Sequence, residues 1–247
     1  MAQQQKDLTV NYKTLPKFSV VDFEFALYDD LLYLISGAIS HSDSVENDVT
    51  KFEGIPIRID KDGKTMNMTR REQSKVLSFF RRILAPKKLA QFKAFKMEMD
   101  NGFKLCYTNL TRNIIANHFN FENRNNIILV WNGSTDVIIL ERLRIWNAVV
   151  NLEAYDVYNN GDFFLRLTFL RTKQLIAQVP LGKFYKNGRL LSLTEAHDII
   201  CWDSHEITYL HDPRVDVILT KCLFNYLVNE ETFEKILKRT LVLAESS

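Results

Sequence analysis

The hydrophobic and polar positions along the chain predict strands first and helices later. Residues 17–28 are almost continuously apolar, which is typical of a strand buried on both faces, but two acids interrupt the run. Asp62-Gly63 has the composition of a turn between two hairpin arms. The remaining strand candidates are residues 31–40, 55–59, 127–130 and 149–157. Residues 159–191 hold apolar runs between turn signals, and the pattern leaves their elements open.

Helical periodicity begins after Thr69, which forms a capping-box pattern with Glu72 and is followed by apolar residues at helical spacing. Pro86 stops that run. Asp212 and Pro213 are a capping acid and a first-turn proline for a last helix. Further helices are predicted over residues 86–125, 136–146 and 193–201. Strands followed by helix–strand–helix alternation predict an α/β fold with a mixed β-sheet flanked by helices.

Composition restricts the class of protein only slightly. A chain of 247 residues with 46% hydrophobic and 25% charged residues is ordinary for one large globular domain. The net charge of +2 means that any nucleic-acid footprint must be local. No apolar run reaches the ~18 residues of a membrane span, and the start of the chain is polar. Three widely spaced cysteines favour reduced thiols, so we expect a cytoplasmic or nuclear protein.

The two acids in the first apolar run carry the first functional signal. Side chains alternate along a strand, so Asp22 and Glu24 are expected on the same face. Like charges in a core repel and lose hydration, and a divalent cation with oxygen ligands is the usual compensation. The alternative is an edge strand whose acids face solvent. Because acid-x-acid should occur roughly three or four times by chance here, the pair alone is weak support.

Three later residues have the same two interpretations. Asp136 follows the apolar run 127–130, where an acid is also favoured simply by the amides of a helix N-terminus. Asp216 is either a first-turn acid of the last helix or a metal ligand, and His211 is either a loop residue or a general base. None of the three is specific when taken singly.

Taken in order, the three segments resemble the motifs of the DEDDh family of 3′–5′ exonucleases. Asp22-Phe23-Glu24 matches the Asp-x-Glu motif, and residues 129–136 resemble the second motif, with Asn132 four residues ahead of Asp136. His211 and Asp216 match the His-x-x-x-x-Asp motif, and residues 191–196 resemble the helix that precedes it. The resemblance covers about residues 17–228. It departs from the family pattern at Phe25, Trp131, Thr135 and Pro213 and in the long gap over residues 86–125.

This resemblance implies a fold, a reaction and a site. The fold is a ribonuclease H-like mixed sheet over residues 17–230, with residues 86–125 as a helical insertion, 1–16 as a polar lead-in and 231–247 as a C-terminal helix or tail. Two Mg²⁺ or Mn²⁺ ions are implied at Asp22, Glu24, Asp136 and Asp216, with His211 as the base that accepts a proton from water. The alternative is a catalytically weak or silent ribonuclease H-like module for nucleic-acid binding or assembly.

The expected substrate is the end of a single-stranded RNA or DNA, and the sequence does not distinguish the two. Residues 58–96 contain twelve Lys or Arg and three acids, which is typical of a surface that holds a phosphate backbone but equally of a solvated helix face. The residues expected to hold the strand there are Arg70, Arg71, Arg81 and Arg82. Those expected at the terminal nucleotide are Phe25, Ala26, Trp131 and Asn132, with a core role as the alternative for the two aromatics.

One further pattern consists of histidines and a cysteine, whose side chains are soft or borderline metal ligands. His197, Cys201 and His205 are spaced four residues apart, so that one helix face could present three of them to zinc. No fourth ligand is evident, and Trp202-Asp203-Ser204 could end the helix early. Packed or surface residues are therefore the default interpretation of this pattern.

Overall fold

The structure is a computed structural model. It describes the fold from Phe18 onward in a series of segments. They are residues 18–28, 30–42, 49–52, 57–62, 64–67, 69–84, 93, 96–97, 127–133, 136–142, 148–156, 162–183, 185–186, 189–190, 192–201 and 212–246.

Eleven strands and five helices are defined in this part of the chain. The strands are β1 Phe18–Tyr28, β2 Leu31–His41, β3 Thr50–Phe52, β4 Ile57–Ile59, β5 Thr65–Asn67, β6 Ile127–Trp131, β7 Ala148–Asp156, β8 Asp162–Phe169, β9 Gln174–Lys183, β10 Tyr185–Lys186 and β11 Arg189–Leu190. The helices are α1 Arg70–Leu84, α2 Asp136–Arg142, α3 Leu193–Ile200, α4 Pro213–Leu227 and α5 Glu230–Glu245.

Nine strands form one mixed sheet in the order β5-β4-β2-β1-β6-β7-β8-β9, with β3 also paired to β2. β1 pairs antiparallel with β2 and parallel with β6, and β6 pairs parallel with β7. β7, β8 and β9 continue as antiparallel neighbours. Strands β10 and β11 form a separate hairpin. The predicted mixed α/β fold is therefore confirmed at the level of a mixed sheet with helices.

β1 lies in the middle of the sheet and is buried on both faces, as its apolar run predicts. One face contributes Phe18 and Val20 to a large core cluster that also contains residues of α4 and α5. The other face contributes Val21 and Phe23 to a second cluster, which is shared with β2, β6 and α2. β1 therefore has an antiparallel partner on one side and a parallel partner on the other, and a hydrophobic core covers each of its two faces.

Helices α4 and α5 cover the first of these faces. Phe18 lies 5.0 Å from the ring of Phe224 and 5.7 Å from that of Phe233, measured between ring centroids. The buried amine of Lys221 donates to the hydroxyl of Ser40 at 3.1 Å and to the carbonyl oxygen of His41 at 2.6 Å. Aromatic packing and these hydrogen bonds fix α4 over β1 and β2, and the helix within 231–247 packs into the same core.

Most of the local predictions agree with the structure. Thr69 and Glu72 form the predicted capping box, and Asp212 caps α4 through the amide of Arg214. The region 159–191, left open by the pattern, contains the hairpin of β8 and β9. The predicted lead-in 1–16 lies outside the described residues, as does the predicted insertion 86–125 apart from Lys93, Lys96 and Met97. No helix in the described segments is long and apolar enough to cross a membrane.

Candidate metal centre

The carboxylates of β1 lie on the face that α4 covers. Asp22 and Glu24 alternate with Phe23, which packs into the cluster on the opposite face, so the two acids share the face of Phe18 and Val20. The register of β1 against β2 shifts between Glu24 and Phe25, so the regular ladder is interrupted immediately after the second acid. The prediction that both acids share a face is confirmed.

The alignment of α4 along β1 brings Asp216 to the same place. Phe18 packs on Phe224 at one end of the contact. Four residues further along the strand is Asp22, about 13 Å away at roughly 3.3 Å per residue. Eight residues back along the helix is Asp216, about 12 Å away at roughly 1.5 Å per residue. Since the helix runs antiparallel to the strand and the two lengths match, Asp216 reaches Asp22.

Three of the four predicted carboxylates converge closely. One ligand oxygen from each of Asp22, Glu24 and Asp216 lies within 4.8 Å of the others. Oxygens bound to one magnesium ion are up to about 4.2 Å apart, because each bond is about 2.0–2.1 Å long. A small side-chain adjustment therefore brings these oxygens into the shell of a shared cation. The strand and helix that carry them are far apart in sequence.

Asp136 lies beside this group but is tied to the backbone. It is the first residue of α2, and its Oδ1 accepts a hydrogen bond of 3.1 Å from the amide of Phe23, between the two acids of β1. β6 runs parallel to β1, so the segment that follows β6 emerges at the edge of the sheet where Asp22 and Glu24 lie. The fourth predicted carboxylate is thus placed next to the other three. We call these four residues the carboxylate site.

The turn that carries Asp136 depends on Gly133 and Asn151, which the sequence analysis did not single out as part of the site. Asn132 has a φ of 48°, and the amide of Gly133 donates to the side-chain oxygen of buried Asn151 at 2.8 Å. A Cβ on Gly133 would lie 2.5 Å from the side chain of Val130 and 3.2 Å from Oδ2 of Asp136. The glycine is therefore required for close packing behind the carboxylate. In the sequence, the turn-forming pair Asn132-Gly133 is the signal that could have identified this turn.

Asp212 is held away from a ligand role by its neighbours. Its carboxylate accepts hydrogen bonds from the backbone amide of Arg214 at 3.0 Å and from Nη2 of the same arginine at 2.9 Å. This acid therefore caps α4 and fixes the start of the helix. The cap sets the position of Asp216 one turn later, whose own amide donates to the carbonyl of Asp212.

Without a bound cation, the carboxylate site is electrostatically unfavourable for four ionised acids. Burial, followed by the charge of Asp136, raises the pKa of Asp22 well above its ordinary value. Burial raises the pKa of Asp136 to about 6, although the amide of Phe23 opposes the shift. Burial and the nearby charges of Asp212 and Asp136 raise the pKa of Asp216 to about 6. Ionised acids are therefore costly here unless positive charge is supplied.

The donor set fits a hard divalent cation. The site offers carboxylate oxygens from four residues, and Mg²⁺ prefers oxygen ligands. A bound cation favours the ionised form of each acid, so it would offset the same burial and repulsion that raise these pKa values. Asp22, Glu24 and Asp216 are the residues that could hold such an ion, with Asp136 beside them.

Part of the predicted base and nucleotide contacts lies outside the described residues. His211 lies outside the described residues, and of Ala26 only its place in β1 is described. Phe25 packs against the cluster that contains Val21 and Phe23, and Trp131 packs against two buried clusters, so both aromatics are partly buried in the core. Asn132 is exposed beside the turn.

The predicted basic surface lies on α1. All four of its arginines are exposed, two in the first turn and two in the last, and they are Arg70, Arg71, Arg81 and Arg82. The two pairs are roughly 16 Å apart along the helix axis at about 1.5 Å per residue. The guanidinium of Arg82 lies 6.0 Å from the ring centre of Phe79. Elsewhere in the basic segment, Arg58 pairs with Glu72 and Lys61 with Asp30.

A second ligand cluster joins α3 to α4. Ligand atoms of His197, Cys201 and Cys222 lie within 4.8 Å of one another, and all three residues are buried. The default interpretation of His197 and Cys201 as packed residues agrees with their burial, and they do not share one helix face, because α3 ends at Ile200 and Cys201 is extended, with φ −93° and ψ 130°. His205 lies outside the described residues. Cys222, from the next helix, joins the first two residues instead. No spacing rule in the sequence identifies it.

Comparison with known proteins gives no match to this chain among family models, curated proteins or solved structures.

Proposed function

We propose that this protein is a metal-dependent 3′–5′ exonuclease that hydrolyses phosphodiester bonds at the end of a single-stranded RNA or DNA. The observation that carries the proposal is the convergence of Asp22, Glu24 and Asp216, with oxygens within 4.8 Å of one another, beside Asp136. These are the four acids that the DEDDh resemblance singles out as metal ligands, and they come from three distant segments.

The sheet supports a ribonuclease H-like fold for this enzyme. β1 stands between an antiparallel partner, β2, and a parallel partner, β6, and α4 packs across it. The acids therefore lie on a central strand and at the start of two helices, on elements fixed by packing rather than on long loops. Rigid elements of this kind hold ligands within the tolerance that metal-assisted chemistry needs.

In the proposed reaction, Asp22, Glu24, Asp136 and Asp216 would hold two Mg²⁺ or Mn²⁺ ions. When bound, such ions would lower the pKa of a water and stabilise the leaving 3′ oxygen. The role of the four carboxylates is to bind the ions, and their clustered negative charge would repel an anionic substrate if no cation were bound. His211 accepts the proton of the attacking water, since an imidazole with an ordinary pKa near ~6.5 is largely unprotonated at neutral pH.

The exposed arginines of α1 are proposed to hold the phosphate backbone. Pairs at both ends of one helix, roughly 16 Å apart, would follow several nucleotides of a single strand, because successive phosphates lie several ångströms apart. The contact is electrostatic, so the affinity for the strand is expected to fall as salt concentration rises. Trp131 is proposed to border the terminal nucleotide while packing on the core, whereas Phe25 packs against the cluster on the face opposite Asp22 and Glu24.

The proposal is tested with 5′-labelled RNA and DNA oligomers incubated with Mg²⁺ or Mn²⁺. A ladder of progressively shorter labelled products is expected, because removal from the 3′ end leaves the label on every product. Glu24→Gln and His211→Ala are expected to lose the ladder, whereas Glu234→Gln keeps it, since it makes the same charge change on an exposed site of α5.

Immediate release of a labelled mononucleotide would reverse the proposed polarity. Equal cleavage by wild type and Glu24→Gln would reject the carboxylate site. Strand binding with no cleavage under either metal would favour the alternative of a catalytically silent binding or assembly module.

A further inference from the structure

We propose that His197, Cys201 and Cys222 form a second, structural metal site that takes zinc and ties α3 to α4. The three residues come from the end of one helix and the middle of another, and their ligand atoms lie within 4.8 Å of one another. The site shares no residue with the carboxylate site. The zinc proposal can therefore be tested independently of the proposed nuclease function.

The chemistry of the donors selects the metal. Two cysteine sulfurs and one imidazole nitrogen are soft or borderline ligands, which suit zinc, whereas Mg²⁺ and Mn²⁺ prefer the carboxylate oxygens of the other site. Zinc bonds of about 2.3 Å to sulfur and 2.0 Å to nitrogen place tetrahedral ligands about 3.5–3.8 Å apart. The three ligand atoms lie within 4.8 Å of one another, so side-chain rotations need to close at most about 1.3 Å.

The surroundings are buried, as in a structural site, and the three residues supply three of the four ligands of a tetrahedral shell. Both thiols are buried, and the cluster is enclosed by Phe163, Ala196 and Leu223. His197 is 2% exposed, and its Nδ1 lies 3.8 Å from the carboxylate of the neighbouring Asp198, which can orient the ring. Binding of zinc would convert both thiols to thiolates and release two protons to solvent.

The site has a structural consequence for α4. Cys222 is six residues after Asp216, about 9 Å along the helix axis. A metal bond to Cys222 therefore fixes the same helix that delivers Asp216 to the carboxylate site, from the side opposite β1's aromatic contacts.

The first test is the metal content of the full-length protein purified without added chelator. About one zinc per chain is expected, and X-ray absorption at the zinc edge should show sulfur at about 2.3 Å together with nitrogen. Replacement by Co²⁺ should give an intense thiolate-to-cobalt absorption band, which oxygen ligands cannot give. Purified protein that remains metal-free when zinc is supplied, or a metal shell without sulfur, would overturn the proposal.

Variants locate the metal. Cys222→Ala is expected to lower zinc content from about one to less than about 0.1 per chain and to abolish the effect of chelator on the melting temperature. Two controls are matched to it: Leu223→Ala weakens the same packing without removing a ligand, and Asp216→Asn alters the carboxylate site. Both should keep their zinc.

Should Cys222→Ala keep the metal while Asp216→Asn loses it, the zinc belongs to the carboxylate site and the proposal is wrong. The absorption measurements use wild-type protein and decide the question even when a variant fails to fold.

Discussion

The contact between β1 and α4 has two chemically opposite ends. At the aromatic end, Phe18 packs on Phe224 and Phe233 inside the largest core cluster. At the acidic end, Asp22 and Glu24 face Asp216 with oxygens within 4.8 Å. The same strand and the same helix form both ends. The aromatic end stabilises the fold by burial of apolar surface, and the acidic end destabilises it by repulsion between like charges.

The magnitudes show how the two ends depend on each other. Each aromatic pair contributes about 0.5–1.5 kcal/mol beyond the burial of its area. A pKa raised from 3.8 to about 6 means that ionised Asp216 costs about 3 kcal/mol at neutral pH, at about 1.4 kcal/mol per pH unit. The aromatic end therefore holds α4 in a position that the acidic end opposes. Such a division is expected where a functional site is supported by a rigid scaffold.

The largest expected effect is on catalysis at the acidic end. Asp22→Asn keeps the size of the side chain but removes a charged ligand, so metal-dependent cleavage should fall at least about a thousandfold, or about 4 kcal/mol of transition-state stabilisation. Single-turnover rates at saturating Mg²⁺ measure the loss. Glu141→Gln, an exposed acid on α2, is the control and should cleave normally. A rate within tenfold of wild type would show that Asp22 is no ligand.

The next largest effect is on stability at the aromatic end. Phe224→Ala removes a fully buried ring from the contact with Phe18, and should lower the free energy of unfolding by about 3–5 kcal/mol. Urea denaturation monitored by circular dichroism measures it. Tyr226→Ala, an exposed aromatic on the same helix, is the matched control and should change stability by less than about 0.5 kcal/mol. Equal losses in the two variants would remove the distinction between core and surface.

A third substitution should increase the stability of the protein rather than decrease it. In metal-free protein at pH 7, Asp216→Asn should raise the free energy of unfolding by up to about 3 kcal/mol, because it removes a buried charge next to other acids. If Mg²⁺ binds as proposed and stabilises the wild type, the same substitution should remove that stabilisation. Thermal melts with and without Mg²⁺ measure both. A loss of stability in the metal-free variant would mean that the acidic end is not under electrostatic stress.

The fourth prediction concerns the turn behind Asp136. Gly133→Ala places a Cβ 2.5 Å from the side chain of Val130, so we expect a loss of about 1–3 kcal/mol in stability from overpacking. The displaced turn should also weaken Mg²⁺ binding, because the new methyl group approaches Oδ2 of Asp136. Calorimetric titration with Mg²⁺ and urea denaturation together measure the two effects. Unchanged values in both would show that the turn can relax around the methyl group.

The last prediction concerns the dependence of stability on pH. The pKa values of Asp136 and Asp216 are about 6 in the folded protein, against about 3.9 for an unfolded aspartate. The folded state therefore binds more protons between these values, and metal-free stability should fall as pH rises from about 4 to about 6, by up to about 1.4 kcal/mol per unit for each proton. Urea denaturation at pH 5 and pH 7 tests it. Saturating Mg²⁺ should flatten the dependence, and an opposite slope without metal would contradict the shifts.

The sequence by itself determined the local features of both ends. Period-two alternation places Asp22 and Glu24 on one face of a strand, whatever the tertiary structure is. Capping residues likewise located the starts of α1 and α4 at Thr69 and Asp212. These predictions succeeded because they depend on backbone geometry and on side chains only a few residues apart.

Tertiary structure alone decided which distant residues meet. Asp216 reaches Asp22 because α4 lies antiparallel along β1, a direction set by aromatic packing about 12 Å away. Cys222 joins His197 and Cys201 because α3 packs on α4, whereas the helical spacing of His197 and Cys201 loses its meaning where the helix ends at Ile200. Spacing rules hold only within one continuous element. The meeting of separate elements depends on how their buried faces pack, which no short stretch of sequence encodes.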